Sequence, residues 1–198
     1  MSPSTPHVLV VVASLQRLAS TRAVLQTLAE QLRSDGCHVD LLDLLEEPLP
    51  IFNPDTSSSH LSYPDLKTRV EQADAYVLGT PDYHGCMSGA LKNFLDHFWQ
   101  EFAGKLFASV VASYEKGLTV SDQIRTMARQ CYAWSIPYAV SFTEGADVKD
   151  GQVINESFAQ RLRMLARDVR VYGGLLAEQR RADLATTDPG FLAHYRQV

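Results

Sequence analysis

The chain predicts a single α/β domain built on a parallel, doubly wound sheet. Three observations carry this. "HVLVVVAS" (His7 to Ser14) and "KLFASVVAS" (Lys105 to Ser113) are near-continuous apolar runs rich in valine, the pattern of strands covered on both faces. Segments with apolar residues at helical spacing separate the strand-like runs, so strands and helices alternate and right-handed crossovers follow. No repeat, linker or composition shift divides the 198 residues, a length that buries a sizeable core as one domain.

The elements follow in order. After the first strand, "TRAVLQTLAEQLRSDG" places Val24, Leu25, Leu28 and Leu32 at helical spacing, with Gly36 as its stop. "HVDLLDL" is the second strand. Residues 46–64, rich in Pro and Ser, are loop, and a short helix is expected from Pro64 to Gln72. "AYVLGT" (Ala75 to Thr80) is the third strand. The helix that follows is expected to run to about Phe102, and Lys105 to Ser113 is the fourth strand. Val120 to Tyr132 reads as helix, Ile136 to Phe142 as a short fifth strand, and Asn155 to about Glu178 as a long Arg-rich helix. The domain spans 1–198, with its core at about 7–180 and a tail at 181–198 that holds few periodic signals.

Composition excludes several classes of function. Hydrophobic residues make up 45% and charged residues 21%, ordinary for a globular protein, and the net charge of -5 comes with no basic face for nucleic acid. No HxH or HExxH spacing supports a metal site. Cys37, Cys86 and Cys131 are odd in number and far apart, which fits a reducing, cytoplasmic setting rather than a disulfide framework. The N-terminus lacks the pattern of a signal peptide. The longest apolar run is far short of the roughly 20 residues that span a bilayer, so no membrane partner is expected.

Ligands of doubly wound sheets sit at the C-terminal ends of the strands, so three loops matter. The first, "ASLQRLAST", leads into a helix N-terminus and offers Ser14, Gln16, Arg17, Ser20 and Thr21, with Arg22 just beyond. Free backbone amides, hydroxyls and arginines there favour a phosphate. The plainer alternative is that Ser20 or Thr21 is only an N-cap and the arginines are solvated. Neither GxxxxGK[ST] nor GxGxxG is present, which removes the main signals of triphosphate and Rossmann dinucleotide binding. The second loop carries Pro81, Asp82, Tyr83, His84 and Gly85. Pro81 ends the strand cleanly, Gly85 and Gly89 permit close backbone approach, and Tyr83 offers a flat face to a planar ring. Lys92 and Asp96 are spaced as an exposed helix pair. Cys86 has no resolving thiol or basic pair in sequence reach, and "GCMSG" does not place its serine as a nucleophile elbow requires. The third loop, "SYEKGLT", holds Ser113, Tyr114 and Gly117.

"PDYHGCMSGALKNFLDHF" (Pro81 to Phe98) resembles the P-E-Y-N-G-x-x-x-G-x-L-K-N-x-L-D-W motif of the NADPH-dependent FMN reductase family, flavodoxin-like proteins that include quinone, azo-dye and chromate reductases. Pro81, Tyr83, Gly85, Gly89, Leu91, Lys92, Asn93, Leu95 and Asp96 match; Asp82 stands for Glu and His84 for Asn. The resemblance implies a flavodoxin-like three-layer sandwich with a five-stranded parallel sheet in the order 2-1-3-4-5. It implies FMN, with its phosphate in the first loop and its ring against the second, and NADPH or NADH as electron donor. The first loop follows the family's G-S-x-R-x-x-S-x-N/S pattern imperfectly: Ser14 matches, Ala13 stands for Gly, Gln16 takes the Arg position with Arg17 beside it, and Ala19 takes the Ser position beside Ser20. Arg17 is the expected charge and Ser14 the expected hydroxyl. The third loop lacks the family's glycine-rich segment, which puts Tyr114, Glu115 and Lys116 where the flavin ring is bordered. Hydride transfer needs no side-chain acid or base, so no catalytic residue is named. The implied function is an FMN-dependent NAD(P)H oxidoreductase passing electrons to a quinone, flavin, azo dye or metal oxyanion. The alternatives are a flavodoxin-like electron carrier and a flavin-binding interaction protein without nicotinamide turnover. A homodimer or homotetramer is expected, because Phe94, Leu95, Phe98, Trp99 and Phe102 exceed what one sheet face requires.

Overall fold

The computed structural model describes residues 4–195. Along the chain run β1 (His7–Val12), α1 (Ser20–Ser34), β2 (His38–Asp43), α2 (Tyr63–Gln72), β3 (Ala75–Tyr83), β4 (Cys86–Met87), α3 (Gly89–Asp96), β5 (Leu106–Ala112), α4 (Leu118–Gln130), β6 (Trp134–Ser135), β7 (Val140–Phe142), a small hairpin of β8 (Val148–Lys149) and β9 (Gln152–Val153), and α5 (Glu156–Ala185). The sheet order is β2-β1-β3-β5, and β6 and β7 both lie parallel to the far side of β5. This is the expected order 2-1-3-4-5 with its fifth strand in two pieces. Pro137 lies between the pieces and has no N–H to give the ladder.

Strand alternation divides the interior into two cores. Val8, Val10, Val12, Val77 and Val110 pack with the apolar residues of α1 and α5. Leu9, Val11, Tyr76, Leu78 and Val111 pack with those of α2, α3 and α4. Leu25 of α1 lies tight over Gly79 of β3: a Cβ built on Gly79 would stand 2.0 Å from Leu25 Cδ1. At the open edge, Arg33 and Arg69 each donate at 3.3 Å to a carbonyl of β2, those of Val39 and Leu41, which blunts the edge against pairing with another strand.

The structure differs from expectation after the second loop. α3 ends at Asp96 instead of running to Phe102, and a 3-10 turn covers Gln100–Phe102. His97 Nδ1 lies 2.8 Å from the Asn93 carbonyl, and Trp99 leaves the helical region at φ -143°. The break lets Phe102 turn edge-on between Tyr76 and Phe107, with ring centroids 5.1 Å from each. Phe94, Leu95, Phe98 and Phe102 are all buried, and of that set Trp99 alone is exposed. These aromatics therefore build the core, and they no longer argue for an interface. α5 also runs on past the expected end near Glu178, to Ala185.

At the N-terminal end of the sheet, Lys105 is buried. Its Nζ donates to the carbonyls of Val70 (2.9 Å) and Glu71 (2.8 Å) in the last turn of α2, and lies 3.3 Å from Tyr76 Oη. Burial pulls its ammonium down from the usual lysine range to about 7, and the nearby charge of Arg180 adds to the shift.

Candidate functional site

The three loops meet at the C-terminal ends of β1, β3 and β5 around a cleft of about 180 Å³. Its walls are Ser14, Gln16, Ala19, Ser20 and Thr21 from the first loop, Pro81, Asp82 and Tyr83 from the second, Ala112, Ser113 and Tyr114 from the third, and Glu144. Arg17, Arg22, His84, Gly85 and Gly117 are outside these walls. Glu144 was missed in the sequence because only the loops after the first, third and fourth strands were considered. The rule that ligands gather at strand C-termini applies equally to the loop after β7.

The first loop leaves a helix start without a cap. The N-cap of α1 is Ala19, which has no side-chain acceptor to offer, and Ser20 and Thr21 are the first helical residues. Their amides make no hydrogen bond among the described residues, nor do those of Arg17 and Leu18. Ser14, Ser20 and Thr21 are at most 5% exposed as residues, and their hydroxyls, which keep contact with solvent, have no partner among the described residues. The capping alternative therefore does not hold here. Two helices are capped, since Ser88 Oγ accepts from the Leu91 amide at α3 and Asn155 Oδ1 from those of Ser157 and Phe158 at α5, while α2 and α4 have no side-chain cap, like α1. Arg17 is exposed at the rim. Arg22 is turned inward, where its Nε pairs with Asp43 Oδ2 and its Nη2 with Oδ1 at 3.1 Å. The bond to Asp43 raises the Arg22 pKa further above its usual value, so the guanidinium stays charged.

The second loop is a two-residue hairpin. β3 and β4 pair antiparallel with Asp82 opposite Met87 and Tyr83 opposite Cys86. His84 (φ 59°) and Gly85 (φ 77°) form the turn, both left-handed. Such a turn favours Asn-Gly, which explains why the family motif has Asn where this chain has His84. Asp82 locks the arrangement: Oδ1 accepts from the Gly85 amide and Oδ2 from Ser113 Oγ, both at 2.8 Å, so one carboxylate joins the second and third loops. Ser88 joins the second to the first, since its Oγ donates to the Ala13 carbonyl at 2.7 Å and its amide donates to Thr80 Oγ at 2.9 Å. Gln123 of α4 braces the hairpin through the Met87 amide and the Gly85 carbonyl. Tyr83 stands half exposed at the mouth.

In the third loop, Lys116 (φ 66°) and Gly117 (φ 58°) are both left-handed. The backbone thus keeps a glycine-like path although a lysine occupies it, a strain of about 1–2 kcal/mol. Tyr114 is 86% exposed beside the cleft. Across the Ala13–Ser88 bridge lies a second, apolar groove of about 580 Å³, lined by Leu15, Leu44, Leu45, Pro48, Leu49 and Ile51 with Ala90 and Asn93 of α3.

The NADPH-dependent FMN reductase family, as a sequence profile, matches residues 6–147. The chain belongs to this family. It is 32% identical over 167 residues to an NADPH azoreductase of Bacillus sp. (strain OY1-2), covering 82% of this chain and 90% of that protein. In fold it is similar to the flavoenzyme NAD(P)H:(acceptor) oxidoreductase FerB from Paracoccus denitrificans, with a TM-score of 0.68 at 23% identity over 85% of this chain and 98% of that one. It is also similar to a flavodoxin from the domain Archaea, with a TM-score of 0.57 at 13% identity over 84% of this chain and 98% of that one. The flavodoxin-like expectation for this family member rests on those likenesses and on the sheet order.

Proposed function

We propose that the protein is an FMN-dependent NAD(P)H oxidoreductase whose acceptors are azo dyes, quinones or similar small oxidants. The observation that carries this is the uncapped start of α1, where unpaired amides and the hydroxyls of Ser14, Ser20 and Thr21, free of protein partners, line one cleft with Tyr83. That donor set fits a phosphate monoester. Ser14, Gln16, Ser20 and Thr21 would hold the phosphate and polyol chain, with Arg17 at the rim, while Pro81, Asp82, Tyr83, His84 and Gly85 would border the ring with Ser113, Tyr114 and Gly117. When bound, FMN supplies the hydride acceptor and the electron donor. The protein's own part is orientation and stacking room. A glycine-poor third loop narrows the ring's surroundings, and Lys116 brings positive charge to that side.

The test is direct. The flavin released from the purified protein is identified by mass spectrometry, and NADPH and NADH consumption is followed with an azo dye and with a quinone. FMN release with dye-dependent nicotinamide oxidation is expected. FAD as the sole flavin, or a flavin that nicotinamide does not reduce, overturns the reading, and the latter outcome favours an electron carrier. Self-association into a dimer or tetramer is part of the proposal. Its support is the exposed pair Leu15 and Ile51 lining the apolar groove, with Leu18 exposed in the same loop as Leu15. A cytoplasmic site of action fits the three free cysteines, and no helix among the described residues is long and apolar enough to cross a membrane.

A further inference from the structure

We infer that Arg22 and Asp43 act as positioning residues for the flavin phosphate: the buried pair shapes the first loop's amides into an anion site without touching the anion. This rests on the phosphate reading above. Arg22 spends its guanidinium on the protein. Nη1 donates at 2.8 Å to the carbonyls of Gln16 and of Arg17, Nη2 donates at 3.2 Å to the carbonyl of Ser14, and Nε and Nη2 hold the Asp43 carboxylate. Asp43 in turn accepts from the Leu45 amide at 3.0 Å, which anchors it at the end of β2. No donor of this arginine is left over for a ligand.

The consequence follows from peptide geometry. No described peptide bond is cis, and in a planar trans peptide the C=O of one residue and the N–H of the next point in opposite directions. Three carbonyls gathered on one guanidinium therefore turn the amides of Leu15, Arg17 and Leu18 away from it. Together with the unpaired amides of Ser20 and Thr21 they form a concave run of donors, the kind of nest that binds anions. Building it beforehand spares the ligand the entropy of ordering the loop. Carbonyls clustered without the guanidinium would repel one another and let those peptides turn over.

Two placements of the arginine predict opposite results for one variant. If Arg22 contacted phosphate directly, Asp43→Asn would free the guanidinium and remove a nearby negative charge, so FMN would bind more tightly. If the pair positions the loop, Asp43→Asn loosens the Nε contact and FMN binds less well. The full chain is titrated with FMN and with riboflavin by fluorescence, as wild type, Arg22→Gln and Asp43→Asn. Arg22→Gln is expected to weaken FMN about tenfold or more, equal to about 1.4 kcal/mol, and riboflavin less than about threefold; Asp43→Asn should follow in the same direction with a smaller change. A role confined to stability would leave the FMN-to-riboflavin ratio unchanged, and that result overturns the inference, as does tighter FMN binding by Asp43→Asn. A wild type that binds FMN no better than riboflavin overturns the phosphate reading itself. Should Arg22→Gln fail to fold, the near-isosteric Asp43→Asn decides alone by its sign.

Discussion

Lys105 gives a prediction whose size can be worked from its surroundings. Its pKa falls from 10.5 to about 7 on burial. Below pH 7 the folded and unfolded chains both carry the proton, so the penalty for burying the charge is fully present. Between about pH 7 and 10.5 the unfolded chain holds a proton that the folded protein has lost, so stability rises with pH. For one proton the gain is roughly 1.6 kcal/mol from pH 7 to pH 8.5, out of roughly 5 kcal/mol over the whole window. Lys105→Met keeps the length of the side chain and removes the titration. It also leaves the Glu71 carbonyl without its lysine donor, while the Val70 carbonyl keeps the Tyr76 hydroxyl at 2.6 Å, a loss of about 1–3 kcal/mol that does not vary with pH. Urea unfolding at pH 6.5, 7 and 8.5 with saturating FMN should therefore show wild type gaining on the variant by that amount between pH 7 and 8.5. Other titrating groups are common to both proteins and cancel in the difference. Parallel pH profiles for wild type and Lys105→Met would refute the buried-charge account.

Gly79→Ala should lower the melting temperature by about 3–10 °C, because its Cβ would meet Leu25 at 2.0 Å and overpacking costs about 1–3 kcal/mol; an unchanged melting curve would show that α1 shifts freely. His84→Asn should raise stability by up to about 1 kcal/mol in urea unfolding, since Asn takes the left-handed position more readily, and a loss would mean that the imidazole has a role of its own. Tyr83→Ala should weaken FMN and riboflavin by a similar factor, about fivefold for one aromatic stacking contact; an effect on FMN alone would place Tyr83 at the phosphate instead. Light scattering at micromolar concentration should report a multiple of the 22.0 kDa chain, and Leu18→Glu with Ile51→Glu should lower that mass. A monomer in wild type removes self-association.

Much of the fold was legible because its causes are local. Valine runs bounded by turn residues mark strands buried on both faces, and Gly85 punctuates the second loop through its left-handed backbone; Pro81, expected to end the third strand at Thr80, instead lies inside β3 opposite Ala112. Such local signals made the alternation of strands and helices and the loop-bearing edge readable in advance, while the sheet order was implied by the family resemblance and is matched by the fold. Other features depend on residues far apart in sequence. Arg22 looked like a phosphate ligand because an arginine at a helix start usually would be; Asp43, 21 residues on, claims it only once β2 lies beside β1. Ala19 at a serine position looked like a defect in the motif, whereas in the folded chain it leaves amides open that a serine would have capped. Phe98 and Phe102 read as surplus apolar surface until the break after Asp96 turned them into the core. Lys116 departs from the glycine-rich pattern in letters but not in backbone path, since Asp82, Ser113 and Phe142 hold the loop that leads into it. Local chemistry thus determined the elements and the kind of ligand. Only packing decided which polar groups stay free to meet it, because a donor's availability depends on every neighbour the fold brings within hydrogen-bond distance.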